Sequence, residues 1–419
     1  MIVIRRGLVR HAGNSLNAPR DASEYEFMPT KKPQQENEED EFELLRALAA
    51  AKPTSEQANR IASWDVSTIN WNEAIRLAEH HGILPLVARN LIEHSQGLNP
   101  EVERSLRSAY ENNLKRGLWF AAELARIVRH LDGQQLPVLP FKGPVLAQSV
   151  YGDPGLRSFS DLDLLIFSVD FERAKRALFE IGYAPAKNFT PAVERFWLRK
   201  GYEQSFNGSA GKHMVELQWA LLPYFYAVDL NVEDLLRRSG QTIVAGCQIQ
   251  CLSPEDSIIV LSLHAAKHLW GRLVWLVDIA ETLQIENVDY GVVLSRARAL
   301  GVARILAVTF WLVKEVLRAN IPDAAEKMIA ADSRVPSLAQ EFADRLARAA
   351  TYDLASTEYF RLILKLRERR TDRLRYLWRL FWTPGEGDIE LLPLPEPLFP
   401  FYRVVRMGRL MRRIFSGRN

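Results

Sequence analysis

Hydrophobic positions along the chain change their spacing twice. From residue 17 to residue 41, "NAPRDASEYEFMPTKKPQQENEEDE" is polar, dense in charge and broken by prolines. Too few apolar groups stand there to offset the entropy of ordering, so residues 1–41 read as a disordered tail. From "FELLRALAAA" onward the apolar period becomes helical. Ile75, Leu77, Ala78, Ile83, Leu86, Val87 and Leu91 recur at helical spacing, with Gly82 and Pro85 marking a break. A longer amphipathic run, "EVERSLRSAYENNLKRGLWFAAELARIVRHLDG", stops at Gly133. Residues 42–133 therefore read as an N-terminal helical region.

The period then shortens. "LPVLPF" is a short strand, "KGPVLAQSVYG" a glycine-opened turn and helix, and "DLDLLIF" a second strand whose mouth carries Asp161 and Asp163. "DFERAKRALFEIGY" is an amphipathic helix. "YEQSFNG" and "KHMVELQWALL" then read as an antiparallel hairpin. In the second of these, His213, Val215, Leu217 and Trp219 alternate with Met214, Glu216 and Gln218. Residues 134–251 thus predict a small α/β unit with a mixed sheet. Ser253, Pro254 and Asp256 form a helix start, and helical spacing returns over 252–380. Residues 381–419 form a Pro-rich segment and a basic tail, in which Arg403, Arg406, Arg409, Arg412 and Arg413 interleave with Val404, Val405, Leu410, Met411 and Ile414.

Composition narrows the class. Apolar residues make up 47% and charged residues 25% of 419, the balance of a globular protein, and a net charge of +3 does not by itself point to nucleic acid. Cys247 and Cys251 are the only cysteines, which rules out a disulfide framework or a four-cysteine zinc site and favours core packing. The longest apolar run, "ILAVTFWLV", is about half of what a spanning helix needs. A cytoplasmic location is the expectation.

Two acids at positions i and i+2 of a strand share one face, where both stay ionised only beside a counter-charge. Hard divalent cations bind through carboxylate oxygen, and such a pair suits magnesium clamping nucleotide phosphates. Glu216, on the polar face of its strand, supplies a third carboxylate if that strand lies beside the aspartates. Lys142 and Gly143 stand where a strand turns into a helix, placing a point charge and free amides within reach of a phosphate. Arg157, Ser158 and Ser160 precede the aspartates and are candidates for the same group. His264 and His268 have the i, i+4 spacing of a zinc pair, but Ala265 replaces the glutamate of a metalloprotease motif. With Lys267, they are candidates for lining a cleft and touching phosphate or base. Trp275 reads as core.

The run from Lys142 to Leu165, the strand "VELQW" and the helix from His264 to Ala280 together resemble the bacterial family described as uncharacterised nucleotidyltransferases, within the DNA polymerase β-like superfamily. The resemblance covers roughly residues 45–320. It departs from the superfamily at Lys142-Gly143-Pro144, where Gly-Ser or Gly-Gly is usual, and at Gln218, where close relatives carry His. What it implies is an α/β (α+β) nucleotidyltransferase core between helical regions, moving a nucleoside monophosphate from an NTP to an acceptor with release of pyrophosphate. Asp161, Asp163 and Glu216 match the metal-binding acids, so Mg2+ is the implied cofactor, with Mn2+ as a substitute. The acceptor is left open among a small molecule, a sugar phosphate, a peptide and a protein. Two other readings stay open: a nucleotide-binding regulatory protein that kept the fold, and an RNA-directed transferase using the basic C-terminal end. That end is also a candidate for peripheral contact with a membrane.

Overall fold

Among the described residues, amphipathic spacing and local start signals produce five helices ahead of the sheet: α1 (Gln35–Leu48), α2 (Ser55–Ala62), α3 (Trp71–His80), α4 (Leu84–His94) and α5 (Pro100–Gly133). The structure, a computed structural model, describes residues 35–208, 214–350, 353 and 356–416. Because α1 begins at Gln35, the end of the stretch expected as a tail is helical, while residues 1–34 lie outside the described residues. Asn70 and Asn99 cap α3 and α5 with their side chains, each accepting from a backbone amide of the first turn. The break between α3 and α4 falls where the sequence placed it. Gly82 has φ +70°, and a Cβ there would come within 3.2 Å of Val274, so both conformation and space call for glycine.

The α/β unit follows as β1 (Leu139–Pro140), α6 (Gly143–Leu146), β2 (Asp161–Leu165), α7 (Phe171–Glu180), β3 (Tyr183–Pro185), α8 (Pro191–Lys200), β4 (Glu203–Gly208) and β5 (Met214–Gln218). The sheet order is β1-β2-β5-β4-β3. β2 and β5 run parallel, and the other pairs are antiparallel. This is the mixed sheet expected, with the β4–β5 hairpin in place; its link, including His213, lies outside the described residues. One face is apolar: Leu162, Leu164, Phe206, Val215 and Leu217 pack with Phe120, Leu124 and Ile127 of α5 and Phe171 and Leu178 of α7. Strand alternation then sends Asp161, Asp163, Glu216 and Gln218 to the opposite face.

After α9 (Val232–Arg237), β6 (Gly240–Val244) and β7 (Cys247–Cys251) form a separate hairpin through Ala245 and Gly246, both at positive φ. Cys247 and Cys251 are free thiols, half-buried against the sheet's apolar core. Among the described residues, ten α-helices follow: α10 (Pro254–Lys267), α11 (Leu273–Leu283), α12 (Tyr290–Leu300), α13 (Ala303–Leu317), α14 (Asp323–Ala330), α15 (Val335–Ala347), α16 (Thr357–Leu366), α17 (Arg370–Trp382), α18 (Glu386–Leu391) and α19 (Tyr402–Ser416). Ser253 caps α10, accepting from the Asp256 amide. No described helix is long and apolar enough to cross a membrane.

The sequence divides the helices into an N-terminal and a C-terminal region, yet the two share one core. Leu48, Leu77 and Leu91 of the first belong to the same buried cluster as Ile258, Leu276, Phe310 and Leu362 of the second. The sheet's apolar face has its own cluster, and its polar face looks across at α10.

His81, between α3 and α4, is fully buried with neither ring nitrogen hydrogen-bonded, and burial lowers its pKa to about 3. The imidazole is neutral in the fold but protonates below pH 6.5 once unfolded. The unfolded chain therefore binds more protons, and stability falls as pH drops from 6.5 toward 3. His81→Phe should remove about 2 kcal/mol of the stability difference between pH 7 and pH 5, read as a flatter pH dependence of the urea midpoint than in wild type. Equal slopes would show that the buried imidazole does not titrate in this way.

Candidate active site

The polar face of the sheet and α10 enclose, with α5 and α11, a cavity of about 800 Å³. All eleven candidate residues singled out from the sequence, His264 included, line it. The parallel register sets Asp161 opposite Met214 and Asp163 opposite Glu216, so the third carboxylate stands beside the second. On the far side of β5, antiparallel pairing places Glu203 opposite Gln218. Glu203 lines the same cavity, so the sheet contributes four acids to it where the sequence reading had three, and Glu79 of α3 adds a fifth. A signal for it existed: Glu203 opens β4 on the polar side, since Gln204 and Phe206 are buried and Glu203 is not. Only the strand order reveals that this side faces the aspartates.

Asp163 is the most connected acid. Lys142 donates from Nζ to its Oδ1 at 3.1 Å, and Gln218 donates from Nε2 to the same oxygen at 2.9 Å. The same Gln218 nitrogen lies 3.1 Å from Glu216 Oε2, so one amide bridges the two carboxylates. Lys142 is thus the counter-charge in the resting arrangement. Gly143 follows it at φ +57°, the left-handed turn that swings the chain from β1 into α6.

The acids carry the marks of crowding. Burial, then the neighbouring Asp163, raises the Asp161 pKa. Burial, then Glu203, Asp163 and Asp161, raises Glu216 to about 8, and Glu203 is raised chiefly by burial. Lys267, which lies 5.1 Å from the Tyr202 ring centre, is lowered by burial despite Glu203 and Glu216. Both signs line the cavity: Glu79 joins these four acids, and Arg116 and Arg272 join Lys142 and Lys267, so the sheet carboxylates are crowded mainly by one another and by burial. Among the described residues, no three acid, histidine or cysteine side chains already converge as a metal cage.

The other wall is aromatic. His264, His268 and Trp275 pack with ring centres 4.9–5.6 Å apart, and all three line the cavity. Burial lowers both histidines, His268 to about 3, so this wall is uncharged at neutral pH. Trp275, read as core, is half-buried and faces the cavity. Ser160 is exposed at the mouth, and Ser158 donates to Asn113 Oδ1 at 3.2 Å. Arg157 lies on the wall but engages elsewhere: its Nε and Nη2 each donate to Asp278 at 2.8 Å.

The family model described as "uncharacterised nucleotidyltransferase" matches residues 67–318, a span that takes in every residue of this cavity. No curated protein and no solved structure matches the chain.

Proposed function

The chain belongs to this nucleotidyltransferase family, and from that premise we propose that it moves a nucleoside monophosphate from an NTP to an acceptor, with Mg2+ held by Asp161, Asp163 and Glu216. Mn2+ is a substitute for the same oxygen ligands. The observation that carries the reading is the β2–β5 register, which puts Asp163 beside Glu216 on the polar face that also carries Asp161 and lines the cavity. Carboxylate oxygens are the donors that hard divalent cations prefer, and burial, then the neighbouring acids, raises the pKa of Asp161 and Glu216, so a cation held between them would favour their ionised forms. When bound, the metal neutralises the triphosphate and the charge that develops as pyrophosphate departs.

In this reading an acceptor nucleophile attacks the α-phosphorus while the bond to the bridging oxygen of the β-phosphate breaks, and pyrophosphate leaves. The acceptor's proton goes to Glu216, whose carboxylate is held by Gln218. Lys142 and Lys267 supply fixed positive charge for the phosphates, and Ser158 and Ser160 sit at the loop that enters β2. The neutral wall of His264, His268 and Trp275 offers a flat apolar surface for the base. Catalysis is chiefly positioning and charge complementarity in a partly dehydrated site.

Calorimetric titration of each of the four NTPs with magnesium, on wild type and on the Asp161→Asn/Asp163→Asn variant, tests the reading. One NTP is expected to bind in a magnesium-dependent way, and the double variant is expected to lose that binding. A folded wild-type protein that binds none of the four would overturn it.

A further inference from the structure

A second feature lies on other elements, where α17 and α19 pack side by side. Leu374, Trp378 and Trp382 follow one another at i, i+4 and i+8 along α17, and all are exposed. Val404, Met407 and Met411 make a matching exposed stripe on α19. Leu374, Trp378 and Val404 are each more than 60% exposed, so these are not core positions seen at an edge. The core face of each helix is used elsewhere: Tyr376 and Leu380 of α17, and Tyr402 and Leu410 of α19, are buried. Between the stripes runs a groove of about 420 Å³ lined entirely by leucine, phenylalanine, tryptophan and methionine.

The charge around this face is one-sided. No acid occurs from Arg373 to Gly385, or from Pro397 to Asn419. Arg375 and Arg379 pair with Asp229, and Arg406 and Arg409 turn to the buried Asp388. Arg370 and Arg403 are exposed, and each heads one of the apolar stripes: Arg370, Leu374, Trp378 and Arg403, Met407, Met411, at steps of four.

We propose that the α17–α19 face docks on an anionic lipid bilayer. Indole rings favour the headgroup level, apolar side chains favour the acyl boundary just below it, and arginines at the rim meet anionic headgroups. A second copy of the chain is a poor occupant, because a two-fold pairing of this face would set an acid-free, arginine-bearing rim against itself. The inference does not depend on the proposed chemistry of the cavity.

Sedimentation of the full chain with vesicles tests it. Binding to phosphatidylcholine vesicles containing about 30% phosphatidylserine should exceed binding to phosphatidylcholine alone by about tenfold or more and should weaken with salt. Leu374→Ser/Trp378→Ser, at exposed positions the fold does not need, should abolish vesicle binding with an unchanged circular dichroism spectrum. Arg370→Glu/Arg403→Glu should remove the preference for phosphatidylserine. Failure of wild type to sediment with anionic vesicles, or equal sedimentation of the serine variant, would overturn the proposal. A dimer in ultracentrifugation that the serine variant dissociates, without vesicle binding by wild type, would assign the face to a second copy instead.

Discussion

Replacing Asp161 by asparagine is expected to slow nucleotidyl transfer by about 10³-fold while making the metal-free protein more stable. The two effects share one cause. Asp161 opens β2 on the face that also carries Asp163, Glu216 and Glu203, and neither lysine of the cavity pairs with it directly; Lys142 bonds to Asp163. Its pKa is raised first by burial and then by Asp163, so ionising it in the fold costs more than in the unfolded chain. The sign follows: the folded state binds the proton more tightly, so this group's contribution to stability is present at low pH and lost as pH rises through the folded pKa. Asparagine keeps the shape and removes the charge. The urea midpoint of the metal-free variant at pH 8 should exceed that of wild type, and the gap should close toward pH 4. Magnesium should raise the wild-type midpoint and leave the variant's unchanged. A variant that is less stable than wild type at pH 8 would mean that Asp161 serves the fold, and one that retains activity would remove it from the site.

Much of this site was legible because short-range rules carry it. Period two in "SDLDLL" and "HMVELQW" assigns each acid to a face, and the apolar members of each strand show which face is core. The helix start at Ser253 and the stop at Gly133 are likewise local, as is the break at Gly82. What was not legible depends on pairing across the chain. Glu203 joins the site because β4 lies beside β5 and β5 beside β2, an order that no local spacing specifies. The merging of the helical regions into one core is the same kind of fact: Leu91 and Leu276 meet only in three dimensions. The β6–β7 hairpin is a local feature by contrast: "QTIVAGCQIQC" alternates around Ala245-Gly246, the two positive-φ residues that turn the chain. Gln218 shows the limit from the other side. Its departure from the family's histidine left its role open in the sequence, whereas its amide bridges Asp163 and Glu216.

Arg157 is where the sequence and the structure give different roles, and the second large effect expected is at this residue. From its place just before the aspartates, the sequence assigns it to phosphate. Its guanidinium is buried instead against Asp278 of α11, with two parallel hydrogen bonds of 2.8 Å. Tyr151 donates a third to the same carboxylate at 2.6 Å. Asp278 thereby ties both the end of the turn after α6 and the loop entering β2 to the helical core. Removing one member of a buried pair strands the other charge, which costs far more than the pair contributes. Arg157→Ala should therefore lower stability by about 3–5 kcal/mol, and Asp278→Ala by a similar amount. Replacing both partners by apolar residues, Arg157→Met with Asp278→Leu, should recover most of the loss because no charge is left buried. Chemical denaturation of the three variants measures this, and NTP calorimetry on the double variant separates the roles. If Arg157 is a structural tie, the refitted protein binds nucleotide within a few-fold of wild type; if it grips phosphate, the double variant is stable but binds poorly. The bidentate geometry and the burial of both partners support the first outcome: a guanidinium whose Nε and Nη2 are both committed to one carboxylate has lost the fork with which arginine usually holds a phosphate.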